Sequence, residues 1–111
     1  MARLHRSKEN ALLAALGNPV RRQILRRLRD EEMVSARQLA VESTRSLSTM
    51  AYHLRVLADC GAVTLARVQP SRGSLQHFYR SSLEPPWARQ IIDLEPWDGN
   101  PTGETPDPPP T

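Results

Sequence analysis

One stretch of the sequence places four hydrogen-bonding side chains on a single face of a predicted helix. In residues 46–60, apolar residues recur with helical spacing, and the opposite face carries Ser48, Thr49, Tyr52 and Arg55. Hydroxyl and guanidinium groups bind base edges and phosphate oxygens, and small polar residues at the start of a helix let it enter a major groove. The pattern therefore predicts a helix whose exposed face binds double-stranded DNA. The residues predicted to turn the other face towards the protein interior are Leu47, Met50, Leu54 and Leu57.

A second helix is predicted directly before this one. Ser35 is typical of an N-cap, residues 36–42 follow it, and a turn at residues 43–46 connects the two helices. Such a pair is a helix-turn-helix, in which the second helix lies in the DNA groove. His53 borders the apolar stripe, and we expect it on the helix surface, bonded to a backbone carbonyl, rather than in contact with a base.

After Gly61 the sequence changes from helical to alternating periodicity. Residues 62–68 and 75–80 predict two strands, and the turn-forming cluster at residues 69–74 predicts that they form a β-hairpin. A hairpin in this position is called a wing. Arg72 lies at its tip, where it would contact the DNA backbone or the minor groove.

The N-terminal part of the chain predicts two further helices. Residues 1–8 are expected to be a loose arm, and a helix from Asn10 ends at the Gly17-Asn18-Pro19 sequence. The next helix, at residues 20–29, is apolar on one face. Its arginines have two interpretations, a clamp on phosphate or a solvated face paired with the acidic residues 30–32. These arginines are Arg21, Arg22, Arg26, Arg27 and Arg29.

The order of these elements predicts a fold that is mainly α with a small β-hairpin, a winged helix-turn-helix in which four helices precede two strands. We expect residues 1–83 to form the DNA-binding domain. Residues 84–111 would be an acidic, proline-rich segment, with a short helix at residues 87–94 and mostly disordered chain after it. Met33-Val34 is either a short strand or an apolar contact at the start of the following helix.

The charge of the 111-residue chain is unevenly distributed. Residues 1–80 contain 14 Lys and Arg against 6 Asp and Glu, a net charge of +8, whereas residues 81–111 contain 1 against 6, a net charge of −5. A basic body favours nucleic acid as the partner. An acidic tail could instead compete for that basic face, as in a winged-helix module that binds other proteins, which is the alternative function.

Two motifs of the sequence resemble ArsR-type winged-helix transcriptional regulators. These motifs are LGNPVRRQIL at residues 16–25 and STMAYHLRVL at residues 48–57, the second followed by CGAV at residues 60–63. The resemblance covers residues 10–82 and implies a transcriptional regulator, usually a homodimeric repressor on a palindromic operator. By position it implies DNA contacts for Ser46, Ser48, Thr49, Ala51, Tyr52, Arg55 and, at the wing tip, Arg72. Ala51 replaces a frequent serine of the family, and Leu47 a frequent polar residue.

Several other classes of function are not expected. Many members of this family sense metals, but residues 36–42 contain no thiol and no histidine follows His77, so we expect no metal site and no cofactor. No nucleophile–base pair or phosphate-binding loop suggests an enzyme. The single Cys60 is expected to be a small, partly buried apolar residue rather than a redox sensor. No apolar stretch approaches the roughly 18–20 residues of a membrane span, so we expect a cytoplasmic protein.

Overall fold

The computed structural model of the protein describes residues 2–30 and 33–94, with side chains from residue 8 onwards. The first helix, α1, spans Ala2–Leu16, so the expected loose arm at residues 1–8 is wrong from residue 2. Residues 2–9 contain no glycine or proline and include strong helix formers such as Leu, Arg, Lys and Glu, so the helix has no local reason to begin later. The predicted disorder after residue 94 lies outside the described residues.

Helix α2 spans Pro19–Asp30, close to the predicted bounds. Its start is fixed by Asn18, whose Oδ1 accepts hydrogen bonds from the backbone N–H groups of Val20 at 2.8 Å and Arg21 at 3.3 Å. Pro19 stands in the first turn, where its missing N–H costs no helical hydrogen bond. The residues of α2 buried in the core are Val20, Ile24, Leu25 and Leu28, together with the charged Arg26.

The helix-turn-helix consists of α3, Ala36–Ser43, and α4, Leu47–Asp59. Ser35 caps α3 in a capping box with Gln38, as the sequence predicts for its N-cap. Thr44 ends α3 in the left-handed conformation with φ 56°, and this reverses the chain towards Ser46, the N-cap of α4.

The described sheet has three antiparallel strands in the order β1-β3-β2, so a short strand that begins at Val34 joins the predicted hairpin, which is one of the two interpretations given for Met33-Val34. Strand β1, Val34–Ser35, pairs with β3, Ser74–Ser81, and β3 pairs with β2, Val63–Ser71. The turn is shorter than the predicted cluster at residues 69–74, because residues 69–71 belong to β2 and only Arg72 and Gly73 connect the strands. Pro70 is tolerated because β2 is an edge strand.

Helix α5, Pro86–Leu94, follows the sheet and packs against α2, which confirms the predicted short helix. Ala88 and Ile92 are its buried residues. The core is one cluster in which all five helices meet strand β1 and the start of β2. The architecture confirms a mainly α, winged helix-turn-helix fold, while the division of the chain at residue 83 stays a prediction. No helix in the described part of the chain is long and apolar enough to cross a bilayer.

Candidate nucleic-acid interface

Helix α4 separates its buried and exposed residues sharply. Ser48, Tyr52 and Arg55 are exposed, with 55% of Tyr52 accessible, and Thr49 is half-buried. The opposite face is buried in the core through Met50, His53, Leu54 and Leu57. The helix therefore presents a polar face to solvent and is anchored firmly on the other side.

Two predictions about the faces of α4 are wrong. Leu47, expected in the core, is 49% exposed, because it is the first residue of the helix and lies beyond the packed part of the stripe. His53, expected on the surface, is only 8% exposed, and its Nδ1 lies 3.5 Å from Nη1 of Arg21 in α2. Position 53 lies three residues after Met50 and four before Leu57, so it shares their face.

The hydroxyl groups at the start of α4 interact with one another. Oγ of Ser46 accepts a hydrogen bond from the backbone N–H of Thr49 at 3.1 Å and donates one to Oγ1 of Thr49 at 2.7 Å. Oγ of Ser48 lies 3.3 Å from Oγ of Ser46. Ser46 is thus primarily a helix cap, although it is exposed, as Ser48 is.

Ala51 and Arg55 lie one turn apart on the side of α4 that faces the wing. Together with Leu47 and residues of β3 they line one open groove. Arg55 is exposed and forms no ion pair with any residue that the structure describes. Its guanidinium group is therefore available to an anion.

The wing tip carries a backbone conformation that is unusual for arginine. Arg72 has φ 48° and Gly73 has φ 83°, so both central residues of this two-residue turn are left-handed, as a type I′ hairpin requires. The Arg72 side chain is exposed at the outer end of the hairpin. The tip therefore holds a cation away from the body of the protein.

The structure ties the five arginines of α2 to other elements, and Nε of Arg29 also lies 3.9 Å from Oδ1 of Asp30, one of the acidic residues with which the predicted solvated face would pair. The alternative of a clamp on phosphate stays a prediction. Arg21 and Arg22 donate hydrogen bonds to the carbonyl oxygens of Ala15 and Leu16 at the end of α1, at 2.9 and 2.7 Å. Arg27 binds Glu42 of α3 through two hydrogen bonds, at 2.8 and 2.7 Å. The remaining two, Arg26 and Arg29, bind α5.

Arg37 is a candidate DNA-binding residue that the sequence reasoning missed. It is the second residue of α3, is exposed, and lines the groove between α4 and the wing. The signal for Arg37 in the sequence was its position at the capped start of the first helix of the pair. In a helix-turn-helix, the first helix crosses the DNA backbone.

Cys60 carries the thiol of the described chain. Cys60 is half-buried, and its Sγ lies 3.4 Å from the carbonyl oxygen of Leu57, to which it donates. Burial raises the pKa of this thiol above its ordinary value of 9.0. No group of three or more His, Cys, Asp or Glu side chains in the described ranges could hold a metal ion.

Comparison with known proteins finds a similar sequence family for part of the chain. The sequence model of a family described as Helix-turn-helix domain matches residues 16–66. No curated protein matches the sequence significantly.

Solved structures share the fold over most of the chain. One is the homodimeric winged helix-turn-helix DNA-binding domain Mb0332 from Mycobacterium bovis, described as a possible ArsR-family transcriptional regulator. It has a TM-score of 0.63 and 21% identity, over 82% of this chain and 77% of that one. The transcriptional regulator HlyU from Vibrio vulnificus CMCP6 has a TM-score of 0.57 and 26% identity, over 83% and 88%. The ArsR family transcriptional regulator RHA00566 has a TM-score of 0.59 and 23% identity, over 81% and 87%.

The fold, the helix-turn-helix match and these neighbours agree with one another. Mb0332 is described as a DNA-binding domain, and HlyU and RHA00566 are described as transcriptional regulators. The chain therefore has a winged helix-turn-helix fold and resembles structures described as ArsR-family transcriptional regulators.

Proposed function

We propose that this protein is a sequence-specific DNA-binding transcriptional repressor, with α4 in the major groove and the wing on the backbone or minor groove. The observation that carries the proposal is the division of α4 into a buried face and a polar face that includes Ser48, Tyr52 and Arg55. A helix anchored on one side and hydrogen-bonding on the other suits direct readout of base edges. A repressor of this kind would work in the cytoplasm, on chromosomal DNA.

The proposed contacts differ in what they contribute. Ser48, Thr49 and Tyr52 would contact base edges, whereas Arg55 and Arg72 would contact bases or phosphates as cations. Ala51 would approach the DNA closely on the wing side, and Ser46 would fix the helix start while remaining at the DNA surface. Exposure of Ser46, Ser48, Tyr52, Arg55 and Arg72 supports this assignment.

We also propose that the protein acts as a homodimer. Leu13 of α1 is 56% exposed although its helix packs in the core, and an exposed leucine on a terminal helix suits a subunit interface. Mb0332, with which the chain shares its fold, is homodimeric. Light scattering should give a mass of about twice 12.5 kDa. The variant Leu13→Glu should give a lower mass.

Selection from a random DNA library, followed by fluorescence anisotropy on the selected sequence, tests DNA binding. The wild-type protein should enrich one palindromic sequence. Ser48→Ala should change the preferred bases, and Arg55→Gln should weaken binding about tenfold or more. Arg89→Gln, which removes an exposed arginine of α5, is the matched control and should bind as the wild type does.

Two results would contradict the proposal. Absence of any enriched sequence would favour the alternative role of a protein-interaction module. Equal affinities for the wild type, Ser48→Ala and Arg55→Gln would show that α4 does not face the DNA. Repression itself is tested by placing the selected sequence over a reporter promoter, where expression of the protein should lower transcription.

A further inference from the structure

A groove of about 470 Å³ separates the DNA-facing side of α4 from the wing. Its walls are the start of α3, the wing-facing side of α4 and the first half of β3. This volume is within the range of small-molecule sites in proteins, about 300–1,000 Å³. Two other cavities, one between α2, α3 and α4 and one beside α5, measure about 90 and 200 Å³.

The groove combines an apolar floor with a basic rim. Leu54 is buried beneath it, and Leu47 and Leu75 stand at its sides with 49% and 61% of their surfaces exposed. Arg37 and Arg55 lie on the rim, and the residues that line the groove include no aspartate or glutamate. Two cations without a local carboxylate favour an anion, and exposed leucines favour an apolar body attached to it.

The sheet adds hydrogen-bond donors to this groove. Strand β1 pairs only with Phe78 and Tyr79, so residues 74–77 of β3 extend past it and border the groove with an edge that β1 does not cover. In an antiparallel sheet, alternate backbone N–H groups at an uncovered edge are directed away from the neighbouring strand, and an oxyanion bound there would accept from them. Nearby, Nε2 of Gln76 donates to Oγ of the buried Ser35 at 2.7 Å, which holds the wing against the start of α3.

We propose that this groove binds an amphipathic organic anion, such as an aromatic carboxylate or sulfonate, and that the bound anion excludes DNA. Arg37 and Arg55 would bind the acidic group while the ring lies between Leu47, Ala51 and Leu75. The exclusion rests on the proposed function, because Ala51 and Arg55 are also residues through which α4 would contact DNA. Such a ligand would act as a signal that releases the repressor.

The probe for this site is 1-anilinonaphthalene-8-sulfonate, an aromatic sulfonate that fluoresces when it is bound in an apolar site. The DNA-free protein should bind it with saturation at one equivalent per chain. Ala51→Trp fills the groove and Arg37→Gln removes one rim cation without altering the core, so each should weaken binding about tenfold. Arg89→Gln is the control, because Arg89 lines the cavity of about 200 Å³ beside α5 instead.

A competition experiment tests exclusion. Added DNA of the selected sequence should displace the probe, and excess probe should weaken DNA binding by the wild type. Circular dichroism and cooperative thermal unfolding of each variant ensure that the probe is not reporting an unfolded chain.

The outcomes separate this inference from the proposed function. Non-saturable binding, or equal binding by wild type, Ala51→Trp and Arg37→Gln, overturns the groove site even when DNA binding is intact. Binding lost in Arg89→Gln alone places the probe beside α5 and also overturns it. Probe binding in the groove that DNA leaves unchanged overturns exclusion, whereas failure of the library selection overturns the proposed function and leaves the anion site to stand on the variant data.

Discussion

At the scale of single residues, Arg72 has a strained backbone conformation in the wing tip. A non-glycine residue at φ 48° is strained, at a cost of about 1–2 kcal/mol, because its Cβ approaches the following carbonyl oxygen. Asparagine or glycine would adopt this conformation more readily. Under the proposed function, the charge of this arginine binds a DNA phosphate.

Stability and DNA binding should therefore respond in opposite directions to Arg72→Asn. The free energy of unfolding should rise by about 0.5–1 kcal/mol, because asparagine tolerates the left-handed conformation. The slope of log affinity against log salt should fall by about 1 in magnitude, if Arg72 contacts one phosphate. Urea unfolding and salt titrations measure the two effects.

Arg72→Gln is the control for this prediction, because it removes the charge without favouring the left-handed turn. It should lower the salt slope equally and leave the free energy of unfolding within about 0.5 kcal/mol of the wild type. A fall in the stability of Arg72→Asn would show that Arg72 supports the turn, against the argument from strain.

At the scale of elements, α2 acts as the connector of the fold. Two of its arginines place cations at the C-terminal end of α1, where the carbonyl groups of a helix lack internal partners. Arg27 joins α2 to α3, and Arg29 joins it to α5 through an ion pair of 2.5 Å with Asp93. The helix thus orients the helix-turn-helix and the last described helix relative to α1.

The Arg27–Glu42 pair should make stability depend on pH in the acidic range. The hydrogen bonds and the charge of Arg27 lower the pKa of Glu42 below its ordinary value of 4.5. Because the folded pKa is the lower one, the pair stabilises the protein above pH 4.5, and its contribution is lost as the pH falls through the folded pKa.

Glu42→Gln tests this contribution. Near pH 7 it should lower the free energy of unfolding by no more than about 1 kcal/mol, because both side chains are partly exposed to solvent. The difference between Glu42→Gln and the wild type should vanish once the pH is below the folded pKa of Glu42. A difference that is the same at acidic and neutral pH would contradict the role of the charge.

Arg26 should hold α5 more strongly than the exposed Arg29–Asp93 ion pair does. It is only 5% exposed, and its Nε and Nη2 donate to the carbonyl oxygen of Ile92 at 3.3 and 3.2 Å. Arg26→Met keeps most of the apolar stem but removes these bonds, and should cost about 1.5–3 kcal/mol. Amide hydrogen exchange in residues 86–94 should also become faster.

Arg29→Gln is the comparison for Arg26→Met. It breaks the exposed ion pair with Asp93 and should cost less than about 1 kcal/mol. Equal losses in the two variants would contradict the distinction between the buried and the exposed link to α5.

At the scale of the whole molecule, net charge overstates the cationic surface that we propose faces DNA. The five arginines of α2 contribute to the net charge of +8 in residues 1–80, yet they bind α1, α3 and α5. The basic groups near the proposed DNA surface are instead on α3, α4 and the wing.

Salt titrations of DNA binding should therefore distinguish arginines by position. Arg37→Gln should lower the magnitude of the salt slope by about 0.9, the value for one phosphate contact on duplex DNA. Arg27→Gln removes the same charge from α2 and should leave the slope unchanged, provided that stability allows measurement. Equal slopes for both variants would contradict the proposed orientation of the protein on DNA.

The sequence alone determined the elements whose signals are local. Short-range signals fix where helices begin and end, because caps and turns act over a few residues. These signals are Asn18 and Pro19, the N-caps Ser35 and Ser46, and Gly61. The helical periodicity of the sequence also predicted that Ser48, Tyr52 and Arg55 lie on the exposed face of α4. Contact of these residues with DNA stays a prediction.

Only the tertiary structure decided where distant groups meet. Strand β1 has two residues, too few for a period, and it forms because β3 lies beside it. Arg26 binds Ile92 across 66 residues, and a guanidinium group selects the carbonyl within reach in the folded chain rather than one nearby in sequence. The groove between α4 and the wing arises in the same way, because its volume depends on how the helix pair and the sheet pack.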